Sequence, residues 1–511
     1  MKALKIIGII AIVILVIFLV GRTVLNKAIT SENQITRQSK NNEEVIAIID
    51  KQLDGINIEN ILKKKHLILE KNVEELQNSI KSGELTYEEL TAFYLYRIKQ
   101  FDQNEKGLNS VITVNPMSIE LARKCDENPN SNNSILYGIP VALKDNINTK
   151  DMPTTAGSPA LEGFIPAEDA DIVMKLKKDG AIILAKANLS EFANFKSYTM
   201  PNGYNDHKGQ NLNPYGPLKI TTWGSSSGSG TCASSNFAAL TIGTETTGSI
   251  VAPASIQGVV GYRPSLGKVS GQGIVPLSHS LDTAGPITRN VYDAAVLYKT
   301  ISDDNSVDLN KLDKNYLTGK TIGIVELYKD LPDTKKLIES LEKAGANIVF
   351  IKYDGSKLDN FDILVAEFRD DLNEYLVKYD APFKSLKDIL SFYEDDRENR
   401  AKYGYDLLTM ADKSNDVTAE NIEERMNNAD KLMNEIFDTY KIDALASTDN
   451  SLSLLACMSG SPEITVPLYV DDTNTPHGAT FSTRPDNDFE ALKISYSFEQ
   501  KTNGRIPPII E

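Results

Sequence analysis

The pattern of apolar and polar positions divides the chain before any motif is read. After Lys2 and Lys5, residues 6–21 form an uninterrupted apolar run closed by Arg22. A bilayer span needs ~20 apolar residues, and basic flanks that snorkel can extend a slightly shorter run. Residues 1–27 are therefore expected to be a signal anchor, left uncleaved because no small-residue cleavage site follows; a cleaved, secreted form is the alternative. Residues 28–72 are polar and charged and read as a spacer, with a helix possible near their end. From Val73, Leu76, Ile80, Leu85, Leu90, Phe93 and Ile98 recur at helical spacing, and Gly83 divides them between two helices.

Further on, the period changes. Residues 135–143 (ILYGIPVAL) read as a buried strand, 170–179 as a helix stopped by Gly180, and 181–186 (AIILAK) as a second strand. The same order returns at 320–327, 333–344 and 347–353. Strand, helix, strand argues a parallel βαβ unit and places the chain in the α/β class. Late strands are expected at 442–447 and 464–470, and Phe489, Leu492 and Tyr496 lie along a closing helix. Between these, 359–427 is helical and highly charged and shows no catalytic constellation.

Charge and cysteine content narrow the function. A net charge of −16 repels a phosphate backbone, so no nucleic-acid partner is expected. Cys125, Cys232 and Cys457 are too widely spaced for a disulfide framework or a CxxC metal site, and no metal or cofactor is expected. At 511 residues the length allows about three domains, although large α/β enzymes run longer as one unit.

The candidate chemistry lies in residues 223–255, where two runs rich in Ser, Thr and Gly flank the strand-like segment 237–242 (FAALTI). Such runs let backbone N–H groups approach a bound oxygen closely, and two of them around a core segment suggest two sides of one pocket. A flexible linker would not enclose core. Phosphate binding lacks its motifs, GxxxxGK[ST] or a GxGxxG between strand and helix. Gly224-Ser225-Ser226-Ser227-Gly228 matches GxSxG literally and would make Ser226 a nucleophile, but a turn-rich loop precedes it where that motif needs a strand. It would also need a base among His66, His207, His279 and His477, the last read as a surface turn residue. Lysine can take the place of histidine beside a serine, and Lys144 ends the 135–143 strand, where open α/β sheets place their sites.

Lys144 in YGIPVALKDNI, Ser225 in GSSSGSG and Ser249 in GTETTGSIVAPAS, followed by SPEITVP and the closing YSFEQKTNGRIPP, resemble the amidase signature family. GTETTGSI and SHSLDTAGP are most similar to peptide amidases and their relatives. The resemblance covers 73–511 and implies a large mixed β-sheet covered by helices on both faces, with a variable helical region at about 305–440 shaping the substrate funnel. It implies Ser249 as nucleophile, Ser225 as the bridging serine on a cis peptide and Lys144 as base. The backbone N–H groups of Thr246, Thr247, Gly248 and Ser249 correspond to the oxyanion hole, and Thr244 and Ser226 to supporting hydrogen-bond partners. Thr247 and Val251 replace the Gly and Arg of the commoner family form, and loss of the Arg argues against an anionic substrate group there. The expected activity is hydrolysis of a neutral carboxamide through an acyl-enzyme, on a membrane-anchored, extracytoplasmic domain. The alternatives are a glutamyl-tRNA amidotransferase A subunit, against which anchor and acidity argue, and a non-catalytic binding module, against which retention of Lys144, Ser225 and Ser249 argues.

Overall fold

Two capping boxes set the entry to the domain. Asn72 accepts from the Glu75 N–H while Glu75 returns to the Asn72 N–H, and Thr86 and Glu89 do the same, so Val73–Lys81 and Tyr87–Arg97 each begin at a fixed residue. Gly83, at φ +77°, ends the first of them, as the spacing predicts. The computed structural model describes residues 36, 38–128, 133–414 and 417–510. The anchor expected at 1–27 lies outside them, and among the described residues no helix is long and apolar enough to cross a membrane.

Part of the spacer expected over 28–72 packs into the domain. Val45 and Ile49 on the helix Asn42–Leu53, then Ile61 and Ile68, are buried in the main core, so the domain already includes this segment. Its apolar residues are sparse but fall four apart, which is enough for one buried stripe.

The strands in chain order are β1 (Val111–Val114), β2 (Pro140–Lys144), β3 (Ile182–Ala187), β4 (Tyr204–Asn205), β5 (Gly209–Gln210), β6 (Leu240–Glu245), β7 (Val260–Arg263), β8 (Thr283–Thr288), β9 (Thr321–Val325), β10 (Asn347–Ile351), β11 (Ala444–Thr448), β12 (Glu463–Val470) and β13 (Pro476–Ser482). All but the small β4–β5 pair join one mixed sheet in the order β1-β3-β2-β6-β8-β7-β12-β13-β11-β9-β10. Both expected βαβ units are parallel: β2 with β3 across the helix Asp171–Lys178, and β9 with β10 across Pro332–Lys343. The first expected strand, 135–143, begins late. Gly138, at φ +71°, turns the chain against the Tyr87 ring, and the strand runs only from Pro140. Expected as a surface turn, His477 instead belongs to β13, between β12 and β11.

Helices Asp171–Lys178, Val291–Ile301 and Asp488–Thr502 bury apolar faces against the sheet, while Ser227–Ser234 and Val251–Ile256 lie wholly buried beside β6, β8 and β7. The region expected to cover the site, 305–440, divides in two. Its first part supplies β9 and β10 to the sheet, whereas Phe361–Lys378, Leu386–Asp395 and Asp406–Asp412 build a second core around Phe192, Phe195, Phe368 and Tyr393.

Candidate active site

Lys144 is the last residue of β2, and the register pairing Leu143 with Ile242 sets it beside Thr244 of the parallel strand β6. The Ser/Gly loops close over that strand end. Gly224-Ser225 is a cis peptide bond, and the chain then enters the helix Ser227–Ser234. The Ser226 N–H donates to the Ser249 carbonyl at 3.1 Å, so the two loops expected as opposite sides of a pocket are joined through their main chains. Ser249 keeps 9 % of its surface open, while Lys144 and Ser225 keep none.

Hydrogen-bond capacity fixes what Lys144 can do. Its Nζ lies 2.8 Å from Ser225 Oγ, 2.8 Å from Thr244 Oγ1 and 3.1 Å from the Thr244 carbonyl oxygen. A neutral amine has two hydrogens and one lone pair, and a carbonyl can only accept. With one hydrogen to each Thr244 oxygen, the lone pair faces Ser225. Thr244 Oγ1 also accepts from Asn146 Nδ2 at 3.0 Å, so both of its lone pairs are used by donors. Burial pushes the Lys144 amine down to about 7, against the opposing pull of Asp282 and Glu245. A buried lysine near 7 can accept a proton at neutral pH.

Ser226, the GxSxG serine, is spent on structure. Its Oγ donates to the Thr244 carbonyl at 2.9 Å and accepts the Thr244 N–H at 3.2 Å. His477 lies elsewhere: its ring stacks on Tyr469, and its nitrogens sit 3.4 Å from carboxylate oxygens of Asp449 and Asp471. The bond to Asp449 raises its pKa. Such a histidine is held by its acids and is not offered to Ser226.

The turn from Thr246 to Ser249 is held from beneath. Glu245 Oε2 accepts the N–H groups of Ile250 at 2.6 Å and Val251 at 3.0 Å, while Thr246 Oγ1 donates to Asp282 Oδ1 at 2.5 Å. Fully buried Arg263 donates to the carbonyls of Glu245, Thr246 and Leu281. Gly248 takes φ +74°, which a side chain would strain, and Thr247 is not among the residues of positive φ, so the departure from Gly at 247 costs the backbone nothing. Val251 is buried as the first residue of its helix. Glu245, Arg263 and Asp282 were not singled out from the sequence. Glu245 and Asp282 lie inside the GTETTGSI and SHSLDTAGP motifs, whereas nothing in the sequence marks Arg263.

A cavity of about 340 Å³ opens at this turn, bordered by Asn146, Thr244, Thr246 and Asp282 and by the apolar Val275 and Leu277. His279 stands at its rim, held protonated to about 9 by its bond to Asp371. His279, Glu367 and Asp371 could together offer three ligand atoms to a cation, but the histidine already pairs with both acids.

A buried lysine bonded to Ser225, with the Ser249 turn tied to the next residue, Ser226, through its main chain, sits at the strand ends of an α/β sheet. The family model described as Amidase matches residues 89–458, and the chain belongs to that family: it is a hydrolase acting on amides. It is 33 % identical over 483 residues to an Arabidopsis thaliana protein named "Probable amidase", covering 86 % of this chain and 92 % of the other. Its fold is similar to the crystal structure of an amidase family protein from Bacillus anthracis, with a TM-score of 0.91 and 42 % identity over 94 % of this chain and 100 % of that one. It is also similar to native peptide amidase from Stenotrophomonas maltophilia, with a TM-score of 0.82 and 33 % identity over 87 % of this chain and 99 % of that one.

Proposed function

We propose that the protein hydrolyses a neutral carboxamide, a C-terminal peptide amide or a small non-peptide amide, to the carboxylate and ammonia. The observation that carries this reading is the fully buried Lys144, bonded to Ser225 and lowered to about 7. Neutral Lys144 takes the proton of Ser225 Oγ as Ser225 takes that of Ser249, and Ser249 Oγ forms its bond to the amide carbon. The carbonyl oxygen gains the negative charge and is met by the N–H groups of Thr246, Thr247, Gly248 and Ser249. The relay reversed then protonates the leaving nitrogen, the C–N bond breaks and ammonia departs. Water, deprotonated by the same relay, releases the acid from Ser249. Buried Val251 at the position of the family's Arg, and the apolar cavity wall of Val275 and Leu277, favour an uncharged group beside the scissile bond.

The test is ammonia release by the purified protein from amidated peptides, amino-acid amides and aliphatic amides. Release that disappears in Ser249→Ala supports the reading. A wild-type protein inert across the panel, or a Ser249→Ala variant that still turns over, overturns it. The apolar run at 6–21 behind Lys2 and Lys5 supports an N-terminal anchor with the catalytic domain outside the cytoplasm. Protease added to intact cells should then digest the domain, and full-length protein recovered from the cytosol would refute the anchor.

A further inference from the structure

Thr247 stands where the commoner family form has glycine, and its hydroxyl is not idle. Asn360 Nδ2 donates to Thr247 Oγ1 at 2.6 Å, and Thr247 Oγ1 donates onward to Cys457 Sγ at 3.1 Å. A threonine hydroxyl has one hydrogen to give, so this commits its donor and fixes the side chain between two partners. The thiol, pushed up to about 11 by burial, stays protonated and serves as the acceptor.

Asn360 is misused by the ordinary rules of helix construction. It occupies the N-cap of Phe361–Lys378, where an asparagine normally accepts an N–H of the first turn, a bond worth ~1 kcal/mol. Here its side chain makes no capping bond and reaches to Thr247 instead. Its neighbour Asp359 accepts the Phe361 N–H at 2.9 Å and pairs with Arg425 of the helix Ala419–Tyr440 at 3.7 Å. Leu281, Ile363, Ile422 and Cys457 share one apolar cluster, so both covering helices and the helix Ser453–Ser459 meet beneath the same hydroxyl.

We propose that Asn360 is a positioning residue: through Thr247 Oγ1 it sets the peptide units of the Thr246–Ser249 turn, so that turnover depends on the docking of the covering helices. The proposal rests on the reading of that turn as the oxyanion hole. Thr247 has a side chain by which its peptide plane can be held, and glycine has none. Complete loss of one oxyanion donor costs on the order of 10²–10³ in kcat, and a donor left in place but loosened costs less, about tenfold.

The experiment compares the full chain with Asn360→Ala, Thr247→Val and the double variant. Each single variant is expected to lose about tenfold in kcat with KM changed less than about twofold, because the interaction acts on the transition state. The double variant should lose no more than either single one, since both remove the same bond. Amide hydrogen exchange over residues 246–249 of the resting protein should quicken about tenfold in both single variants. Exchange at the wild-type rate in both, or losses in kcat that multiply in the double variant, overturns the proposal. Exchange needs no substrate, so a wild-type protein that releases no ammonia counts against the amide-hydrolase reading, while unchanged exchange counts against the Asn360 link.

Discussion

Replacing Lys144 with methionine should make an inactive protein that is steadier than the wild type at pH 7 and loses part of that advantage at pH 9. The folded amine titrates near 7 and an unfolded lysine at 10.5. Between these values the unfolded chain holds a proton that the folded protein has shed, so raising the pH favours folding. At 1.36 kcal/mol per unit, burying this amine costs ~4 kcal/mol at pH 7 and ~2 kcal/mol at pH 9, relative to a group neutral in both states. The thioether avoids that cost but strands the Ser225 hydroxyl, an unsatisfied group costing ~1–3 kcal/mol, while the Thr244 hydroxyl keeps its bond from Asn146. The stranding does not vary with pH, so the difference of ~2 kcal/mol between the two pH values isolates the amine. For a chain of 511 residues, 1 kcal/mol moves the melting point by about 1 °C. Scanning calorimetry of both proteins should therefore show the wild type gaining about 2 °C on Lys144→Met from pH 7 to pH 9. A gap that does not change with pH, or one that widens, would refute the lowered pKa on which the base assignment stands.

Activity should rise with pH through a single ionisation near 7 that belongs to Lys144, and Lys144→Ala should lose at least ~10³-fold in kcat, with Ser225→Ala also falling steeply. A fluorophosphonate should label Ser249 and leave Ser226 untouched, and an adduct mapped to Ser226 by mass spectrometry would point to a different hydrolase mechanism. His477→Ala should keep near-normal turnover, because its ring is held by Asp449 and Asp471; loss of activity would restore a histidine base. Burial and the nearby Glu245 push the Glu463 carboxyl up to about 8, from an ordinary value of 4.5. Across that window the folded protein holds a proton the unfolded chain has lost, so stability falls as pH rises; Glu463→Gln should flatten the melting curve between pH 5 and pH 8, and an unchanged slope would count against a neutral Glu463.

The strands that could be read from the sequence are those whose apolar runs stand alone. β2, β3, β9, β11 and β12 each lie in a stretch where apolar residues crowd together between turn signals. β8 and β13 do not: TAGPIT and PHGATFS carry glycine and proline, and they become strands because β6, β7, β11 and β12 pair with them on either side. His477 was misplaced for that reason, since a proline and a glycine flanking it read as a turn. That Lys144, Ser225 and the Ser249 loop lie together could be read in advance because each stands in a local motif. The grip of Glu245 on Ile250 and Val251, and of Asn360 on Thr247, depends on the shape of a turn and on a helix 113 residues away, and no periodicity records either.

The complete burial of Lys144 and Ser225 has a consequence for buffers. Neither side chain touches solvent, and the neighbouring Ser249 keeps only a narrow opening. In the relay proposed above, an amide that fills that opening keeps dissolved acid and base away, and the hydrogen removed from Ser249 is the one at hand for the departing nitrogen. Formation of the acyl-enzyme should therefore run at a rate indifferent to the concentration of imidazole or phosphate at fixed pH and ionic strength, because the protein carries its own proton reservoir, sealed for the length of the step.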